Sequence, residues 1–451
     1  MAATSLTMSF LDRERTVAPP GFNRWLVPPA ALAVHLAVGQ VYAFSVFSKP
    51  LGMLLGGKAP GPGDWSGQQI GVTFSIAIVF LGLSAALFGK WLEAAGPRKA
   101  MVASALCFSG GFFVGAAGIG YHQLWLLYLG YGVLGGIGLG LGYISPVSTL
   151  IKWFPDRPGL ATGLAIMGFG GGAMIAAPLS VELMKHYKTA ASPGVAETFL
   201  TLGVVYFAFI LFGALIVRVP PATSEAGAAQ AGAGLTADQA IRTPQFWLLW
   251  AVLFLNVTAG ISILSVASPM IQDVFQGRVS VAAATGFVGL LSLFNLAGRF
   301  GWSTLSDKIG RKATYAVFFI LGALLYALVP LAGRAGSIGL FVGACVVILS
   351  MYGGGFATIP AYLRDRFGSL QVGAIHGRLL TAWSAAGIVG PFLIAHLLPP
   401  IDPKHPLPAN AYDLPLHVMA GLLVLGLVCN LLVRPITIDT DAAPRTETSH
   451  A

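Results

Sequence analysis

The chain has 451 residues, of which 56% are hydrophobic and only 10% are charged, and its formal net charge is +9. A soluble globular domain normally carries about 25% charged residues, so this composition excludes a soluble protein and indicates one embedded in lipid. The positive charges are distributed over many loops and form no single basic face, which argues against a nucleic-acid-binding protein.

Apolar stretches of about the 20 residues needed to cross a hydrocarbon core recur along the whole chain. They predict an all-α membrane protein with twelve transmembrane helices. The predicted spans are residues 25–48, 67–91, 101–120, 124–151, 159–184, 197–218, 245–270, 279–304, 313–332, 336–362, 372–398 and 414–433.

The segment at residues 220–243 is small, polar and rich in Ala and Gly, a composition typical of a flexible linker. It divides the twelve spans into two sets of six. The predicted domains are an N-terminal tail (1–24), an N-terminal six-helix bundle (25–219), the linker (220–243), a C-terminal six-helix bundle (244–434) and a C-terminal tail (435–451).

The distribution of Lys and Arg predicts how the spans are oriented. If both termini lie on one side, 18 of the 26 basic residues fall on that side, seven fall on the other, and Arg299 lies within a span. Cytoplasmic loops of membrane proteins carry the excess of basic residues. We therefore expect both tails and the linker in the cytoplasm. The protein would span the plasma (inner) membrane many times, and we expect it to be a monomer.

Two loops at a fixed separation indicate that the halves are copies of each other. Glu93 and Asp307 are 214 residues apart, as are Gly96 and Gly310, in the segments GKWLEAAGPRK and STLSDKIGRK. Halves repeated in this way are related by an axis along the membrane normal in many transporters.

The same loops resemble the signature loop of the major facilitator superfamily, G-x-x-x-D-[RK]-x-G-[RK]-[RK]. The residues that match it are Asp307, Lys308, Gly310, Arg311 and Lys312 in the C-terminal copy and, less closely, Glu93 and Arg98 in the N-terminal copy. An acid near a helix N-terminus with basic neighbours can hold two spans in one conformation. Alternatively, these charges only keep the loops on the inner side.

The predicted membrane interior contains very few titratable groups. All 17 acidic residues fall in tails, loops or span ends. His35 lies well inside the first span and is a candidate proton site, although a single histidine on an apolar helix also fits a hydrogen-bonded packing residue. No cluster of nucleophile, base or metal ligands occurs at depth, so we expect no enzymatic activity, no metal and no cofactor.

Arg299 is the exception, because it lies eight residues before Asp307, about 12 Å along a helix at roughly 1.5 Å per residue. A charged group inside a span costs about 2.5 to 3.5 kcal/mol and persists where it meets a cavity or a counter-charge. Since no carboxylate is near, we expect a substrate to supply it: a small organic anion gripped by two parallel hydrogen bonds. Asn295, one turn earlier, would orient the arginine or the anion. The alternative is a structural arginine bonded to main-chain carbonyls.

A second resemblance is narrower. The stretch NLAGRFGWSTLSD around Arg299, with YAFSVF, RTPQFWLLW and YGGGFATIPAY, is similar to the oxalate/formate antiporter family, which includes bacterial monocarboxylate transporters. The resemblance implies that Arg299 binds a substrate carboxylate and that Tyr352 and Phe356 are aromatic substrate contacts. Further candidate substrate contacts are Trp383 with Ser384 and Gln40 with Tyr42, for which packing is the alternative role.

The family's oxalate exchanger has a lysine in the eleventh span that holds a second carboxylate, and Trp383 aligns with that lysine. One cation then remains, so a dianion would leave a charge buried and unpaired. Arg378, five residues earlier, would reverse this inference if it reached the cavity.

The sequence therefore predicts a secondary active transporter that moves a monocarboxylate of the lactate, pyruvate and formate class by alternating access, with the lipid bilayer and the anion as its partners. Anion exchange and proton symport both remain open. The alternatives are an oxalate-type dicarboxylate/formate antiporter and a sensor of organic acids that transports nothing.

Overall fold

The computed structural model describes residues 9–55, 61–189, 192–221, 234–399 and 407–436. Within these ranges the chain is helical, with two isolated β-bridges and no β-strand. Twelve helices there are long and apolar enough to cross a membrane, which confirms the prediction of twelve spans. They are α1 (Arg24–Ala43), α2 (Gly67–Ala95), α3 (Pro97–Gly120), α4 (Leu124–Trp153), α5 (Pro158–Tyr187), α6 (Val195–Ile216), α7 (Pro244–Val274), α8 (Ala282–Ile309), α9 (Arg311–Arg334), α10 (Ile338–Phe367), α11 (Val372–Leu397) and α12 (Asp413–Leu432).

Four helices extend about one turn beyond the predicted spans. α2 continues to Ala95, α7 to Val274, α8 to Ile309 and α10 to Phe367, whereas their apolar patterns end at residues 91, 270, 304 and 362. The added turns contain charged residues, including Glu93 and Asp307, which a search for apolar stretches does not count as helix. As a result, both acids stand on helix ends and have defined positions.

Local sequence determines where several helices begin and end. Ser66 and Gln69 form a capping box at the start of α2, which satisfies N–H groups that have no partner within the helix. At the other end of α2, and at the end of α8, Gly96 and Gly310 both have a φ of +87°. Side chains disfavour this backbone conformation, so the repeated glycines give both signature loops the same sharp turn.

The two halves meet where α5 packs against α8 and α10, and where α2 packs against α11. Glycine allows these helices to approach closely. A methyl group at Gly159 of α5 would lie 2.1 Å from the carbonyl oxygen of Ser303 in α8, and one at Gly377 of α11 would lie 2.1 Å from that of Ala85 in α2. Such close backbone contacts are typical of helices that pack through small residues in membranes.

A cavity of about 410 Å³ lies between the halves. Its inner end is formed by Tyr42, Gly170 and Asn295, and it extends toward Ser48 and Gly71, away from the face on which α1 begins and α12 ends. We call that face the terminal face. Because the described helices of the two halves touch on the terminal side, the cavity extends from its inner end toward the opposite side in this conformation.

Two spans change geometry close to this cavity. α1 becomes a 3-10 helix at Gly39–Ala43, the turn that contains Tyr42, and α11 is interrupted at Leu380, three residues before Trp383. Short 3-10 stretches inside longer helices often mark functional hinges. Both irregular turns place an aromatic side chain between the halves.

Candidate functional site

Arg299 lies on α8 and is fully buried. Its Nε donates to Oδ1 of Asn295, one turn earlier, at 3.2 Å, and its Nη1 makes a long contact of 3.4 Å with the carbonyl oxygen of Ile166 on α5. Its Nη2 has no partner among the described residues, although it is buried. The guanidinium is therefore oriented by both halves but retains one free charged donor.

Aromatic rings surround this guanidinium. Arg299 Cζ lies 5.7 Å from the ring centre of Phe169 on α5 and 5.1 Å from that of Phe356 on α10. Both distances are within the range in which the face of a ring attracts a cation. One ring comes from each half. Because both rings attract the guanidinium, its charge is stabilised in part without a carboxylate.

Three tyrosines complete the polar part of the site. The hydroxyl groups of Tyr42 and Tyr143 approach the Arg299 guanidinium, and that of Tyr352 approaches Tyr42. None of the three hydroxyls makes a hydrogen bond within the ranges that the structure describes. They come from α1, α4 and α10, so donors from both halves converge on one point.

Trp383 on α11 is fully buried and packs against the other rings of the cluster. Its ring centre lies 5.4 Å from that of Tyr143, 5.3 Å from Phe169 and 4.6 Å from Phe356. Its indole Nε1 is buried and has no partner in the described part of the chain. We refer to the six aromatic residues of this cluster as the aromatic cage; they are Tyr42, Tyr143, Phe169, Tyr352, Phe356 and Trp383.

Two other predicted substrate contacts bond elsewhere. Ser384 donates to the carbonyl oxygen of Ile78 in α2 at 2.8 Å, and so lies at the interface between the halves. The Oε1 of Gln40 accepts a hydrogen bond from Tyr131 in α4 at 3.2 Å. No described contact brings either side chain to Arg299.

His35 is fully buried, and both of its ring nitrogens face main-chain oxygens. Nδ1 lies 2.6 Å from the carbonyl oxygen of Ala165, and Nε2 lies 3.0 Å from that of Tyr143. The ring thereby ties α1 to α4 and α5. A neutral imidazole has one N–H and can donate to only one of these oxygens, whereas a ring with a second proton would donate to both, so the packing role and the proton site both stay predictions.

Arg378 does not line the cavity in this conformation. Its Nη2 lies 2.6 Å from Oδ1 of Asp238, on the short helix Ala237–Ile241, which lies within the segment 220–243 predicted as a flexible linker. Lys90 on α2 contacts the other carboxylate oxygen of Asp238. Arg378 is thus neutralised at the terminal face and leaves Arg299 as the cation of the aromatic cage.

The two signature acids close the terminal face. Asp307 accepts from the backbone N–H of Gly159 at 2.9 Å and of Leu160 at 2.8 Å, in the first turn of α5, and pairs with Arg311. Carboxylates are favoured at a helix N-terminus because the N–H groups there have no other partner and the helix dipole is positive.

Glu93 makes the same kind of contact in the other direction. It accepts from the N–H of Gly373 in the first turn of α11 at 3.0 Å and from Ser148 at 3.1 Å, and pairs with Lys152 at 2.5 Å. We call these contacts of Glu93 and Asp307 the terminal gate. Each acid lies on one half and bonds to the other half, so opening this face must break both sets of contacts.

The remaining signature residues are anchors of a different kind. Lys312 donates to the carbonyl oxygens of Leu431 and Val433 at 2.7 and 2.8 Å. Arg98 donates to the carbonyl oxygen of Phe10 at 2.8 Å and fixes the N-terminal segment. Lys308 is exposed at the end of α8.

Sequence reasoning missed Tyr143 and Phe169, which both belong to the aromatic cage. They lie in the glycine-rich stretches GYGVLGGIGLGLGY and GFGGGA, whose glycines indicate close helix packing. The available signal was a bulky aromatic residue among glycines. Because glycine has no side chain, it leaves space in which a neighbouring aromatic ring can pack.

Comparisons with known proteins agree with this geometry. A sequence model described as Major Facilitator Superfamily matches residues 21–391. The chain is 28% identical over 374 residues to the oxalate:formate antiporter of Oxalobacter formigenes, covering 82% of this chain and 83% of the relative. It is 27% identical over 373 residues to an uncharacterized MFS-type transporter, YhjX, of Escherichia coli (strain K12), covering 81% and 86%.

Further similarities extend beyond bacteria and to solved structures. Human monocarboxylate transporter 11 is 25% identical over 394 residues, which cover 84% of this chain and 78% of the relative. The structure of the proton:xylose symporter XylE matches with a TM-score of 0.67 at 15% identity, covering 91% of this chain and 96% of that chain. At that identity the structural match supports the fold alone.

Proposed function

Because the chain belongs to the major facilitator superfamily, a family of multi-pass membrane transporters and not of enzymes, we propose that it carries small organic monocarboxylates by alternating access. Homology to a bacterial carrier places the protein in the inner membrane. The observation on which the proposal depends is Arg299, a buried cation with a free donor and no carboxylate in contact among the described residues.

The substrate would complete the bonding of this arginine. An unpaired charge in a dry site is unfavourable, and a buried charge is normally paired or hydrogen-bonded. A carboxylate beside Nη2 would accept from the guanidinium and from the hydroxyls of Tyr42 and Tyr143, which approach it. Charge-assisted bonds of this type are about twice as strong as neutral ones.

A monocarboxylate fits better than a dicarboxylate. Within the described chain Arg378 is bound to Asp238, and Trp383 packs among the rings of the cage, so a second carboxylate would meet no second cation there. Relatives include an oxalate:formate antiporter and an apicoplast pyruvate carrier of Toxoplasma gondii, 25% identical over 334 residues. Both relatives are named for small carboxylates, which supports small carboxylates as the substrate class. Experiment must identify which acid is carried.

Transport would proceed by rocking of the halves around the aromatic cage. With the terminal face assigned to the cytoplasm from the distribution of Lys and Arg, the present conformation faces outward. The anion would enter through the cavity, reach Arg299 past Tyr42 and Asn295, and leave after the terminal gate opens. Because an empty carrier must close over an unpaired arginine, exchange of one anion for another is favoured over net transport.

Counterflow in proteoliposomes tests this proposal. Vesicles loaded with unlabelled lactate, pyruvate, formate or oxalate would be placed in trace radiolabelled monocarboxylate, with and without an inward proton gradient. We expect accumulation of label driven by internal monocarboxylates and independent of the proton gradient. Acceleration by the gradient would indicate symport, and strong counterflow with oxalate alone would replace the monocarboxylate with a dicarboxylate.

A further inference from the structure

We propose that Trp383 selects among monocarboxylates and favours those with an uncharged oxygen acceptor beside the carboxylate, namely 2-oxo and 2-hydroxy acids. The inference rests on the proposed function, because it concerns the same site. It follows from the kinds of donor that the aromatic cage leaves without partners.

Two unpaired atoms in the cage can only donate hydrogen bonds. They are Arg299 Nη2, which carries positive charge, and Trp383 Nε1, which is neutral. Arg299 and Trp383 pack against the same two rings, since Phe169 and Phe356 each lie within 6 Å of both. A ligand that reached both side chains beside these rings would meet one charged donor and one neutral donor.

The tyrosine hydroxyls do not discriminate in the same way. Each hydroxyl of Tyr42, Tyr143 and Tyr352 can donate or accept, so it can adapt to several ligands. Nε1 of Trp383 accepts nothing, and its satisfaction requires an oxygen or nitrogen lone pair on the ligand. The selectivity of the cage should therefore depend on the indole more than on the hydroxyls.

Three classes of ligand can be ranked by these two donors. An unsubstituted acid such as propionate satisfies Arg299 and leaves the indole N–H without an acceptor. A dicarboxylate satisfies both but buries a second negative charge beside a neutral donor. A 2-oxo acid such as pyruvate offers a carboxylate to Arg299 and a neutral carbonyl oxygen to Trp383, so it leaves neither an unpaired donor nor an unpaired charge.

The size of the preference can be bounded. Leaving a buried donor without its partner weakens binding by about 5- to 150-fold. Sites built to hydrogen-bond a substrate group discriminate strongly against analogues that lack it. We therefore expect the wild-type protein to bind pyruvate about tenfold or more tightly than propionate, which has a CH₂ group in place of the carbonyl.

The test is calorimetric binding of pyruvate and propionate to the purified full-length protein and to Trp383→Phe. This substitution keeps an aromatic ring in a buried position and removes the N–H. The ratio of the two dissociation constants should fall from about tenfold to about one, because pyruvate loses its advantage. Since both acids are measured on the same protein, a partial loss of folded material does not alter the ratio.

Trp250→Phe is the matched control. Trp250 on α7 also loses an indole N–H in this substitution, but that group donates to Thr381 at 2.9 Å and contacts no residue of the cage through a hydrogen bond. The pyruvate preference should survive there. If Trp383→Phe weakens both acids equally, or if the wild-type protein binds them equally, Trp383 is a packing residue and the inference is wrong. If the wild-type protein binds neither acid, the proposed function itself fails.

Discussion

The two halves of the chain repeat the terminal gate but not the cation. Glu93 and Asp307 are 214 residues apart, and so are Gly373 and Gly159, whose N–H groups they bind. The residue 214 positions before Arg299 is Ala85, a small buried residue that packs against Gly377. What is repeated in both halves joins them, whereas the proposed binding chemistry depends on a residue that occurs once.

This difference assigns separate tasks to the two regions. In the terminal gate each carboxylate accepts from at least one helix N–H group and pairs with a basic residue, so the contacts define one conformation. In the aromatic cage several buried donors have no partner within the described residues. A region with satisfied groups holds a shape, and a region with unsatisfied groups is prepared for a ligand.

Substitution of the unrepeated cation should have the largest effect. Arg299→Gln removes the charged donors and should weaken monocarboxylate binding by at least about 100-fold, since each hydrogen bond to a charged group contributes about 1.5 to 3 kcal/mol. Binding calorimetry measures the loss. Arg299→Lys keeps the charge without the planar fork, and we expect an intermediate affinity.

Thermal unfolding of the ligand-free protein separates this role from a structural one. Removing a buried charge that has a free donor should leave the melting temperature of Arg299→Gln unchanged or raise it. A clear decrease together with retained binding would mean that Arg299 serves the fold through its contacts with Ile166 and Asn295.

The repeated acids should give a smaller effect that is equal in direction for both halves. Asp307→Asn and Glu93→Gln each weaken bonds between a carboxylate and a helix N-terminus, by about 1 to 3 kcal/mol. Each substitution should therefore increase the population that is open at the terminal face. Spin labels at Arg157 and Leu370, one on each half, measure that opening in a background without Cys107, Cys345 and Cys429.

The control for these variants is Glu182→Gln. Glu182 is exposed and pairs only with Lys185 within α5 among the ion pairs of the described chain, so its loss should not change the distance between the labels. The double variant of Asp307 and Glu93 should open the gate further than either single variant, because the two sites are separate. An unchanged distance in both single variants would show that other contacts keep the terminal face closed.

Much of this architecture could be predicted from the sequence because it follows from composition. Apolar length predicted the twelve spans, and the fixed separation of Glu93 and Asp307 predicted the repeat. Arg299 and Asn295 were identifiable because a charge in an apolar stretch is an anomaly. These features depend on local sequence or on simple spacing, and each has one dominant physical cause.

The parts that escaped prediction depend on contacts between distant residues. Tyr143 and Phe169 look like packing residues until α4 and α5 are placed beside α8. Arg378 meets Asp238 across 140 positions of sequence, which no local pattern indicates. The helical turns that contain Glu93 and Asp307 were placed outside the spans because the stability of those turns comes from the gate contacts and not from hydropathy.

The smallest effect is expected for Asp238, which joins the halves in a different environment. Its carboxylate contacts Lys90 and Arg378, one on each half, but about half of its side chain is exposed. Exposed ion pairs contribute little, because water and salt compete for both partners. Asp238→Asn should change the population that is open at the terminal face and the counterflow rate by less than about threefold, and high salt should reproduce that change in the wild-type protein.

The pH dependence of this contact sharpens the contrast with the gate. Hydrogen bonds from Lys90 and Arg378 lower the pKa of Asp238 to about 2. For a carboxylate with a lowered pKa, the ion pair contributes fully above the ordinary aspartate value and is lost only as the pH falls through about 2. Counterflow between pH 5 and 8 should thus show no pH-dependent step that Asp238→Asn removes.

An effect of Asp238→Asn as large as that of Glu93→Gln, whose ion pair is about nine-tenths buried, would make the short helix Ala237–Ile241 a third part of the gate. Burial would then no longer explain which of the contacts between halves control opening.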